Sequence, residues 1–367
     1  MPKKNLLELC LSPDLGGLEL YMMRAAKALS DDFNVTSVIN ARGKLESYFK
    51  ESSHCYSMLE KNSNLLMFGA AYKLAKIIDE EAIDIVHLHW TKDIPIAVLA
   101  KKLSKKNPQL AQTRNMTMTR FKDDFYHRLL YKNIGLMLPV TEQVAEQLHR
   151  FIPEDIRPVV EVVYMGTDDV EILDDKTLQA FKSAQKMKAG FSVGMVGRIE
   201  EHKGQHLLIE ALSRLDVKVE AYFVGHAMQE GYIDTLKAQA QALGVDKRVH
   251  FLGFMKNPMH FMQACDAIVL ATPCETFGLV VIEAMSVGTP MVATNACGPI
   301  EIIDDNVSGL LFEKGDVTSL TQKIKALSEN SELSLSIGSA GKEQVHKKFS
   351  NLLQFQKLVS TLKKHLA

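Results

Sequence analysis

The chain has 367 residues, which is too many for one ordinary hydrophobic core and suits two domains. Hydrophobic residues make up 46% of the sequence and charged residues 24%, a composition that excludes an intrinsically disordered chain. The formal net charge of −1 supplies no overall field to attract a polyanion, so we expect no nucleic-acid partner.

The cysteines and apolar runs bear on the cellular compartment. The number of cysteines is odd and no two have CxxC spacing, so we expect reduced thiols in the cytoplasm and neither a disulfide framework nor a zinc site. They are Cys10, Cys55, Cys265, Cys274 and Cys297. No uninterrupted apolar run reaches the roughly 18 residues of a membrane span. Lysines precede the first apolar residues, as in a secretion signal, but Glu8 interrupts that run and favours a β-strand.

Short apolar runs alternate with amphipathic segments in the first half of the chain. This alternation predicts a parallel sheet covered by helices on both faces. The predicted strands are 5–11, 35–39, 83–89, 135–140 and 159–164, and two of the intervening helices are 65–81 and 94–105.

Polarity rises over 166–189, and the same alternation then restarts. We therefore predict an N-terminal domain at 1–167 and a C-terminal domain at 168–349, both Rossmann-like. The amphipathic segment 350–367 is expected to pack back on the first domain. In the second domain the predicted strands are 190–197, 219–225, 248–253, 266–272 and 290–294, and the predicted helices are 205–214, 229–242, 257–264 and 317–347.

Each domain opens with a strand, a glycine-containing loop and a helix. Gly16 and Gly17 lie in the first of these loops, and Gly197 and Gly204 in the second. Backbone N–H groups at such a loop can approach an anion, although a simple tight turn explains Gly16 and Gly17 equally well. Neither loop reads GxGxxG and the chain has no GxxxxGK[ST], which disfavours a nicotinamide dehydrogenase and a P-loop ATPase.

Two cations flank the second glycine loop, in the segment "GRIEEHKG". Arg198 offers a planar fork of donors and Lys203 a mobile point charge, and together they could clamp a diphosphate. The alternative is two solvated surface cations.

The segment "ETFGLVVIEAM" runs from Glu275 to Met285 and reads as a turn followed by a helix. Phe277, Gly278 and Leu279 would lie at the helix N-terminus, where backbone N–H groups lack intrahelical acceptors. Glu283 stands among apolar residues, so we expect it to be buried, and a buried carboxylate needs donors. A protein cation or the two hydroxyls of a ribose could supply them.

The two glutamates of this segment are not best read as a hydrolytic acid/base pair. Eight helical residues span about 12 Å, whereas glycosidase carboxylates stand roughly 5–9.5 Å apart. The spacing instead suits contacts along one extended ligand.

The segments "GMVGRIEEHKG", "HFLGF" and "DAIVLATPCETFGLVVIEAMSVGTPMVATNACGPIEIIDDNVSGLLF" resemble the donor domain of the family four retaining glycosyltransferases, which have the GT-B fold. The resemblance covers most of 190–315, and extends loosely to the N-terminal domain through "GGLE" and "VHLHW". It implies two Rossmann-like domains with parallel sheets facing across a cleft. It also implies transfer of a hexose-type sugar from a nucleotide diphosphate sugar, UDP-linked, to a saccharide or lipid-linked saccharide in lipopolysaccharide or other polysaccharide biosynthesis, with no cofactor and no metal.

The resemblance also assigns roles along the donor. Glu283 would hold the ribose, Arg198 and Lys203 the diphosphate, and Glu275 the transferred sugar, so that Glu275, Arg198 and Lys203 form the predicted catalytic set. Phe254 would cover the base. Further donor contacts would come from Gly16, Gly17 and the amides of Phe277, Gly278 and Leu279.

The acceptor side is where the chain departs from the family. The family often has a histidine near "QTRNM", where this chain has Arg114 and Asn115. With Glu19 and His89 these are the predicted acceptor-side residues. For His89, the last histidine of "IDIVHLHW", the alternative is an ordinary buried strand-end histidine.

The segment 101–132 holds nine basic residues against two aspartates, a formal charge of +7. A solvated helical face explains it. So does an anionic acceptor or an anionic membrane surface, which would place a cytoplasmic protein peripherally on the inner face of the membrane. Two other functions fit the same fold, namely a nucleotide-sugar epimerase and a nonenzymatic nucleotide- or sugar-binding protein.

Overall fold

The computed structural model describes residues 2–50, 56–60 and 67–366. The chain divides into two compact units. The N-unit comprises Met1–Met165 and Leu352–Ala367, and the C-unit comprises Gly166–Asn351. Among the described residues, no helix is both long enough and apolar enough to cross a membrane.

The N-unit is built on a seven-stranded parallel sheet in the order β3-β2-β1-β4-β5-β6-β7. Its strands are β1 (Asn5–Cys10), β2 (Asn34–Asn40), β3 (Tyr56–Leu59), β4 (Ile85–Leu88), β5 (Gln109–Arg114), β6 (Leu136–Pro139) and β7 (Val159–Val160). Its helices are α1 (Gly17–Leu29), α2 (Glu46–Lys50), α3 (Met67–Glu80), α4 (Ile94–Leu103), α5 (Phe125–Tyr131) and α6 (Glu142–Phe151), with 3₁₀ turns at Thr91–Asp93 and Glu154–Ile156.

The C-unit has a six-stranded parallel sheet in the order β10-β9-β8-β11-β12-β13. Its strands are β8 (Phe191–Val196), β9 (Val219–Val224), β10 (Val249–Gly253), β11 (Ala267–Leu270), β12 (Met291–Thr294) and β13 (Leu310–Phe312). Its helices are α7 (Asp175–Ala184), α8 (Gln205–Leu212), α9 (Tyr232–Ala242), α10 (Met259–Ala264), α11 (Leu279–Ser286), α12 (Pro299–Ile302), α13 (Val317–Glu329) and α14 (Ser331–Lys348), with 3₁₀ turns at Glu201–Lys203 and Asp246–Arg248.

The last helix, α15 (Asn351–Leu366), contacts the N-unit. The rings of Phe355 on α15 and Tyr21 on α1 lie 5.7 Å apart. Nε2 of His365 lies 2.7 Å from the carboxylate of Glu161. An apolar contact and a polar contact thus hold this helix to the unit that contains the first half of the chain.

Four strands and one helix break differ from the predictions. Strands β3, β5 and β13 were not predicted. Strand β5 escapes the apolar pattern because Gln112, Thr113 and Arg114 are buried polar residues. Of the predicted strand 159–164, only Val159–Val160 pairs with a neighbouring strand, as β7. The predicted helix 317–347 is two helices, because Asn330 leaves the helical conformation and its Oδ1 accepts the N–H of Leu333.

The prediction of reduced thiols is wrong for two cysteines. Cys274 and Cys297 form a disulfide, with their Cα atoms 5.4 Å apart. Spacing along the chain could not show this contact, because it joins the loops after neighbouring parallel strands, β11 and β12. Cys10 and Cys265 are free and buried. Cys55 lies outside the described residues.

Candidate functional site

The strand order of the C-unit reverses between β8 and β11, which lie side by side. In open parallel sheets, ligands bind beyond the carboxyl ends of the strands at such a switch point. Predicted donor residues follow the ends of both strands, Arg198 and Lys203 after β8 and Glu275 after β11. Phe254 instead follows β10, which lies at the edge of the same sheet.

The loop after β8 is fixed by close backbone packing. Gly204 has φ +76°, and a Cβ at this position would lie 2.5 Å from the carbonyl oxygen of Ala271. Only glycine combines that conformation with that approach. The buried Gln205 donates its Nε2 hydrogen bond to the carbonyl of Arg198 at 2.9 Å. Both ends of the loop that carries Arg198 and Lys203 are therefore anchored.

The two predicted cations have different surroundings. Nζ of Lys203 donates to Oε2 of Glu275 at 2.7 Å, and about a quarter of each side chain is exposed. The guanidinium of Arg198 lies 3.0 Å from Glu200, and 60% of the Arg198 side chain is exposed. Lys203 is therefore held toward the end of β11, whereas Arg198 is open to an incoming anion.

Glu275 and helix α11 belong to one packed turn. Gly278 caps α11 with φ +98° and no side-chain hydrogen bond. The first amides of a helix have no intrahelical acceptors, so those after Gly278 suit an anion, as predicted for Leu279. Phe277 is buried with its ring 6.0 Å from that of Phe349. The Phe277 side chain therefore anchors the turn.

The expectation that Glu283 is buried is wrong. Leu279, Val280, Glu283 and Ser286 are all half-buried, and the residues between them are buried. Their spacing of three and four places them on one face of α11, which is the partly open face of the helix. Glu283 is therefore displayed along α11, one turn beyond the helix start, instead of lying within the core.

An exposed aromatic pair lies beyond β9 and β10. The rings of His226 and Phe254 stack with centroids 4.3 Å apart and planes 9° from parallel. Phe254 is 56% exposed, so the stack is not part of the core. His226 was not predicted. His226 follows Gly225, the residue after β9. Arg198 likewise follows Gly197, the residue after β8, and Phe254 follows Gly253, the last residue of β10. This repeated pattern of a strand, a glycine and a functional candidate could have identified His226 from the sequence.

The predicted N-unit donor residues lie at the start of α1. Gly16 and Gly17 are exposed, and Gly16 caps the helix in an extended conformation without a side-chain hydrogen bond. Glu19 is buried, and its Oε2 would lie 3.4 Å from a Cβ at Gly16. The Glu19 carboxylate thus packs beneath the glycine loop.

The structure has His89 in the alternative state, that of a buried histidine at the end of a strand. Its side chain is fully buried, and its Nε2 is hydrogen-bonded to the carboxylate of Glu8, whose other oxygen lies 3.0 Å from Nδ1 of His87. Burial would raise the pKa of Glu8, but the two histidines lower it to about 2. Burial lowers the pKa of His89. The potential metal-ligand atoms of these three residues lie within 4.8 Å of one another, but both carboxylate oxygens already have histidine partners.

Arg114, another predicted acceptor-side residue, has protein partners in the fold. The side chain is buried, and burial lowers its pKa. It donates to Oγ1 of Thr91 at 2.9 Å and to the carbonyls of Met116 and Thr117 at 2.7 and 2.9 Å. Arg114 therefore shapes the loop after β5. The neighbouring Asn115 has both amide atoms buried without a hydrogen-bond partner in the described structure.

Two family descriptions match the two halves of the chain. "Glycosyl transferases group 1" matches residues 176–344, and "Glycosyl transferase 4-like" matches residues 8–147. The first covers the whole of the predicted donor site in the C-unit, and the second covers the glycine loop and the buried Glu8 cluster of the N-unit.

Named relatives and a solved structure agree with these matches. The capsular polysaccharide biosynthesis glycosyltransferase CapM of Staphylococcus aureus is 25% identical over 88% of each chain. The lipopolysaccharide core biosynthesis glycosyltransferase LpsE of Rhizobium meliloti is 32% identical over 62% of this chain and 64% of its own length. Anabaena HepE, crystallised with UDP and glucose, is 23% identical and superposes with a TM-score of 0.87 over 99% of this chain and 100% of its own.

The likeness to HepE shows the fold alone, and it confirms the predicted Rossmann-like architecture of parallel sheets with seven and six strands. The chain therefore belongs to the glycosyltransferases, with a C-terminal part of group 1 and an N-terminal part of the glycosyl transferase 4-like kind, and it has the GT-B fold.

Proposed function

We propose that this glycosyltransferase moves a hexose-type sugar, with retention of configuration, from a UDP-sugar to a saccharide or lipid-linked saccharide acceptor. The observation that carries the proposal is the ion pair of Lys203 and Glu275 at the β8–β11 switch point. This pair brings together a cation that would bind the diphosphate and a carboxylate that would contact the sugar, at the point where open parallel sheets generally bind ligands.

The diphosphate would lie against the loop after β8. Arg198 presents an exposed guanidinium whose planar fork suits two phosphate oxygens. Lys203 adds a point charge, and the start of α11 adds backbone N–H groups. Together these groups would stabilise the negative charge that develops on the leaving diphosphate. We propose that these groups neutralise the diphosphate charge without a metal ion.

In a UDP-sugar the ribose links the diphosphate to the base, so the ribose and the base would both lie on the side of this anion site away from the sugar. The His226–Phe254 stack offers an exposed aromatic face for a uracil ring. Glu283 presents a carboxylate on the open face of α11, where it can accept two hydrogen bonds from vicinal hydroxyls. CapM and LpsE supply the biosynthetic setting, which is capsular polysaccharide for one and lipopolysaccharide core for the other. We propose the same broad setting here.

The acceptor would meet the N-unit, where Asn115 offers buried amide atoms with no protein partner. The predicted contacts of Gly16, Gly17 and Glu19 remain part of this proposal. Arg114 would act only by positioning other groups, because its guanidinium already donates to Thr91, Met116 and Thr117. His89 binds Glu8 through Nε2, whereas its buried Nδ1 has no hydrogen-bond partner in the described structure. The acceptor would attack the sugar on the face that the diphosphate leaves.

We propose that the surface around α5 meets anionic lipid on the cytoplasmic side of the membrane. Aromatic and apolar side chains there are exposed, with Phe125 at 84%, and include Phe121, Tyr126 and Leu129. Arg120 and Lys132 are exposed nearby, and Lys122 is partly so. Aromatic rings and cations together favour an anionic interface. Not all nine basic residues contribute, since Arg114 is buried and Arg128 pairs with Asp123 and Asp155.

Nucleotide binding followed by turnover tests the function. A panel of UDP, GDP, ADP and CMP is screened by thermal shift, and we expect UDP to raise the melting temperature most. UDP-glucose, UDP-galactose and their N-acetyl derivatives are then incubated with acceptor extracts, and UDP release is followed with the anomeric configuration of the product. UDP binding with no consumption in any extract would indicate a binding protein, and interconversion without acceptor would indicate an epimerase.

A further inference from the structure

Cys274 and Cys297 connect two loops at the candidate donor site. Cys274 lies in the loop after β11 and Cys297 in the loop after β12, with their Cα atoms 5.4 Å apart. That separation falls within the range that disulfides bridge without backbone movement. Cys274 is exposed and Cys297 is half-buried, so a small thiol or disulfide can reach the pair from solvent.

The free thiols elsewhere in the described residues are shielded from solvent, unlike Cys274 and Cys297. Cys10 and Cys265 are buried. Burial raises the pKa of both thiols, and a thiol that does not ionise is neither a nucleophile nor readily oxidised. Among the cysteines of residues 2–50, 56–60 and 67–366, we therefore expect thiol–disulfide exchange at Cys274 and Cys297.

The disulfide is coupled to Glu275 through the backbone. Glu275 directly follows Cys274, and its carbonyl accepts the N–H of Gly298, the residue after Cys297, at 2.9 Å. Gly298 packs so closely on Phe277 that a Cβ would lie 2.3 Å from the Phe277 carbonyl oxygen. The two cysteine loops are therefore tied to each other beside the carboxylate that pairs with Lys203.

The conformation of Cys297 shows what the disulfide holds in place. Its φ is +58°, a left-handed conformation that costs free energy for a residue other than glycine, asparagine or aspartate. The disulfide is one of the contacts that keep Cys297 in this conformation. Without the covalent link, residue 297 can relax toward an ordinary conformation and release the loop that holds Glu275.

We propose that Cys274 and Cys297 are a reversible thiol–disulfide site that controls how tightly the Glu275 loop is held and, through it, donor affinity. The oxidant is a low-molecular-weight disulfide of the glutathione type. The Cys274 thiolate attacks it, forming a mixed disulfide and releasing one thiolate. The Cys297 thiolate then attacks the Cys274 sulfur, which forms the protein disulfide and releases the second thiolate. Two protons pass from the protein thiols to the two released thiolates, and the small disulfide gains two electrons.

The redox part stands by itself, and the donor part rests on the proposed function. The full-length protein is equilibrated in glutathione buffers from fully reducing to fully oxidising, then acid-quenched, alkylated and mapped by mass spectrometry. We expect a Cys274–Cys297 crosslink that forms and disappears across the series. Hydrogen exchange in residues 272–279 should be faster in the reduced protein.

Donor affinity is measured as UDP binding by calorimetry in both redox states. We expect reduction to weaken binding roughly three- to tenfold, because the loop must then be ordered on binding. The double variant Cys274→Ser/Cys297→Ser should match the reduced protein in both buffers, whereas Cys55→Ser, which changes another thiol, should respond like the wild type.

Three results would overturn the proposal. They are absence of the crosslink across the whole series, its persistence in the most reducing buffer, and its formation without a change in hydrogen exchange at 272–279. A protein that shows the redox and exchange changes but binds UDP in neither state would leave the thiol–disulfide site standing and would contradict the proposed donor instead.

Discussion

Nζ of Lys203 lies 2.7 Å from Oε2 of Glu275, although the two residues are 72 positions apart in the chain. Each residue neutralises the other in a partly open site. On the proposed function, a diphosphate bound here would compete with Glu275 for Lys203. The pair would hold Lys203 in place before the donor binds, and transfer of Lys203 to the phosphate would leave the Glu275 carboxylate able to accept from a sugar hydroxyl.

Replacing Lys203 with methionine should lower kcat by roughly 100-fold or more, since one preorganised charge at the leaving group is lost. Steady-state rates with the best UDP-sugar measure it. The variant Lys218→Met removes an exposed lysine of the same unit and should retain wild-type rates. Equal rates for Lys203→Met and wild type would refute the leaving-group role.

Replacing Glu283 should change mainly the affinity for UDP, whereas replacing Glu275 should change mainly kcat. Glu283→Gln is expected to raise the Kd for UDP about tenfold, because the ribose loses a charged acceptor. Glu275→Gln should leave the Kd for UDP within about threefold and reduce kcat, because UDP lacks the sugar that Glu275 is proposed to contact. Calorimetry and initial rates give both values. Glu332→Gln, an exposed glutamate on α14, serves as control. Unchanged UDP affinity in Glu283→Gln would exclude the ribose assignment.

Removing the Phe254 ring should weaken UDP binding by about 1–3 kcal/mol, the usual range for losing a base–aromatic stack. Phe254→Ala should cost little stability, because the ring is exposed and stacks only on the exposed His226 among the described ring contacts. Calorimetry with UDP and with inorganic diphosphate distinguishes base from phosphate binding. Loss of affinity for both ligands alike would argue against a base platform. Met228→Ala, another exposed apolar side chain nearby in the chain, is the matched control.

The buried cluster of Glu8, His87 and His89 should make the free energy of unfolding of the N-unit depend on pH. Glu8 has its folded pKa lowered to about 2, so its contribution is complete above its ordinary pKa of 4.5 and is lost as the pH falls from there toward 2. At about 1.4 kcal/mol per pKa unit, the contribution is roughly 3 kcal/mol. The lowered pKa of His89 acts with the same sign, since the unfolded chain takes up that proton as the pH falls through 6.5 and the folded chain does not.

Trp90 makes this measurable, because it is the one tryptophan of the sequence and packs against the N-unit core. Urea unfolding followed by its fluorescence should show the unfolding free energy falling between pH 7 and pH 3.5. Glu8→Gln should flatten the part of that slope below pH 5, whereas Glu80→Gln, an exposed carboxylate of α3, should not. If Glu8→Gln does not fold, a wild-type free energy that stays constant across this range still contradicts the assignment.

The surface around α5 should bind anionic vesicles. Sedimentation with phosphatidylcholine vesicles containing 0 to roughly 40% phosphatidylglycerol should show binding that rises with anionic lipid and weakens with salt. Phe125→Ser should reduce it through lost apolar insertion, and Lys132→Glu through charge. Phe68→Ser, an exposed phenylalanine on α3, is the control. Binding that is equal on neutral and anionic vesicles would contradict the charge component.

The sequence by itself determined the alternation of strands and helices, and with it two parallel-sheet units, because hydrophobic periodicity is a local property. It also placed Arg198, Lys203, Phe254 and Glu275 at strand ends, since a loop after a buried strand is visible in the apolar pattern. Strand β5 stayed hidden, because Gln112, Thr113 and Arg114 interrupt its apolar pattern although all three are buried.

Only the tertiary structure decided which of these residues meet. The sequence shows neither the 2.7 Å contact of Lys203 with Glu275 nor the Cys274–Cys297 disulfide, because both depend on which strands lie side by side in the sheet. It also left open whether His89 faces solvent. In the fold, Glu8 on the neighbouring strand β1 holds its ring in the core. Which of these side chains are buried, and which partners they contact, depends on the order of the strands in the sheet. That order is set by the packing of the whole sheet and not by any local stretch of sequence.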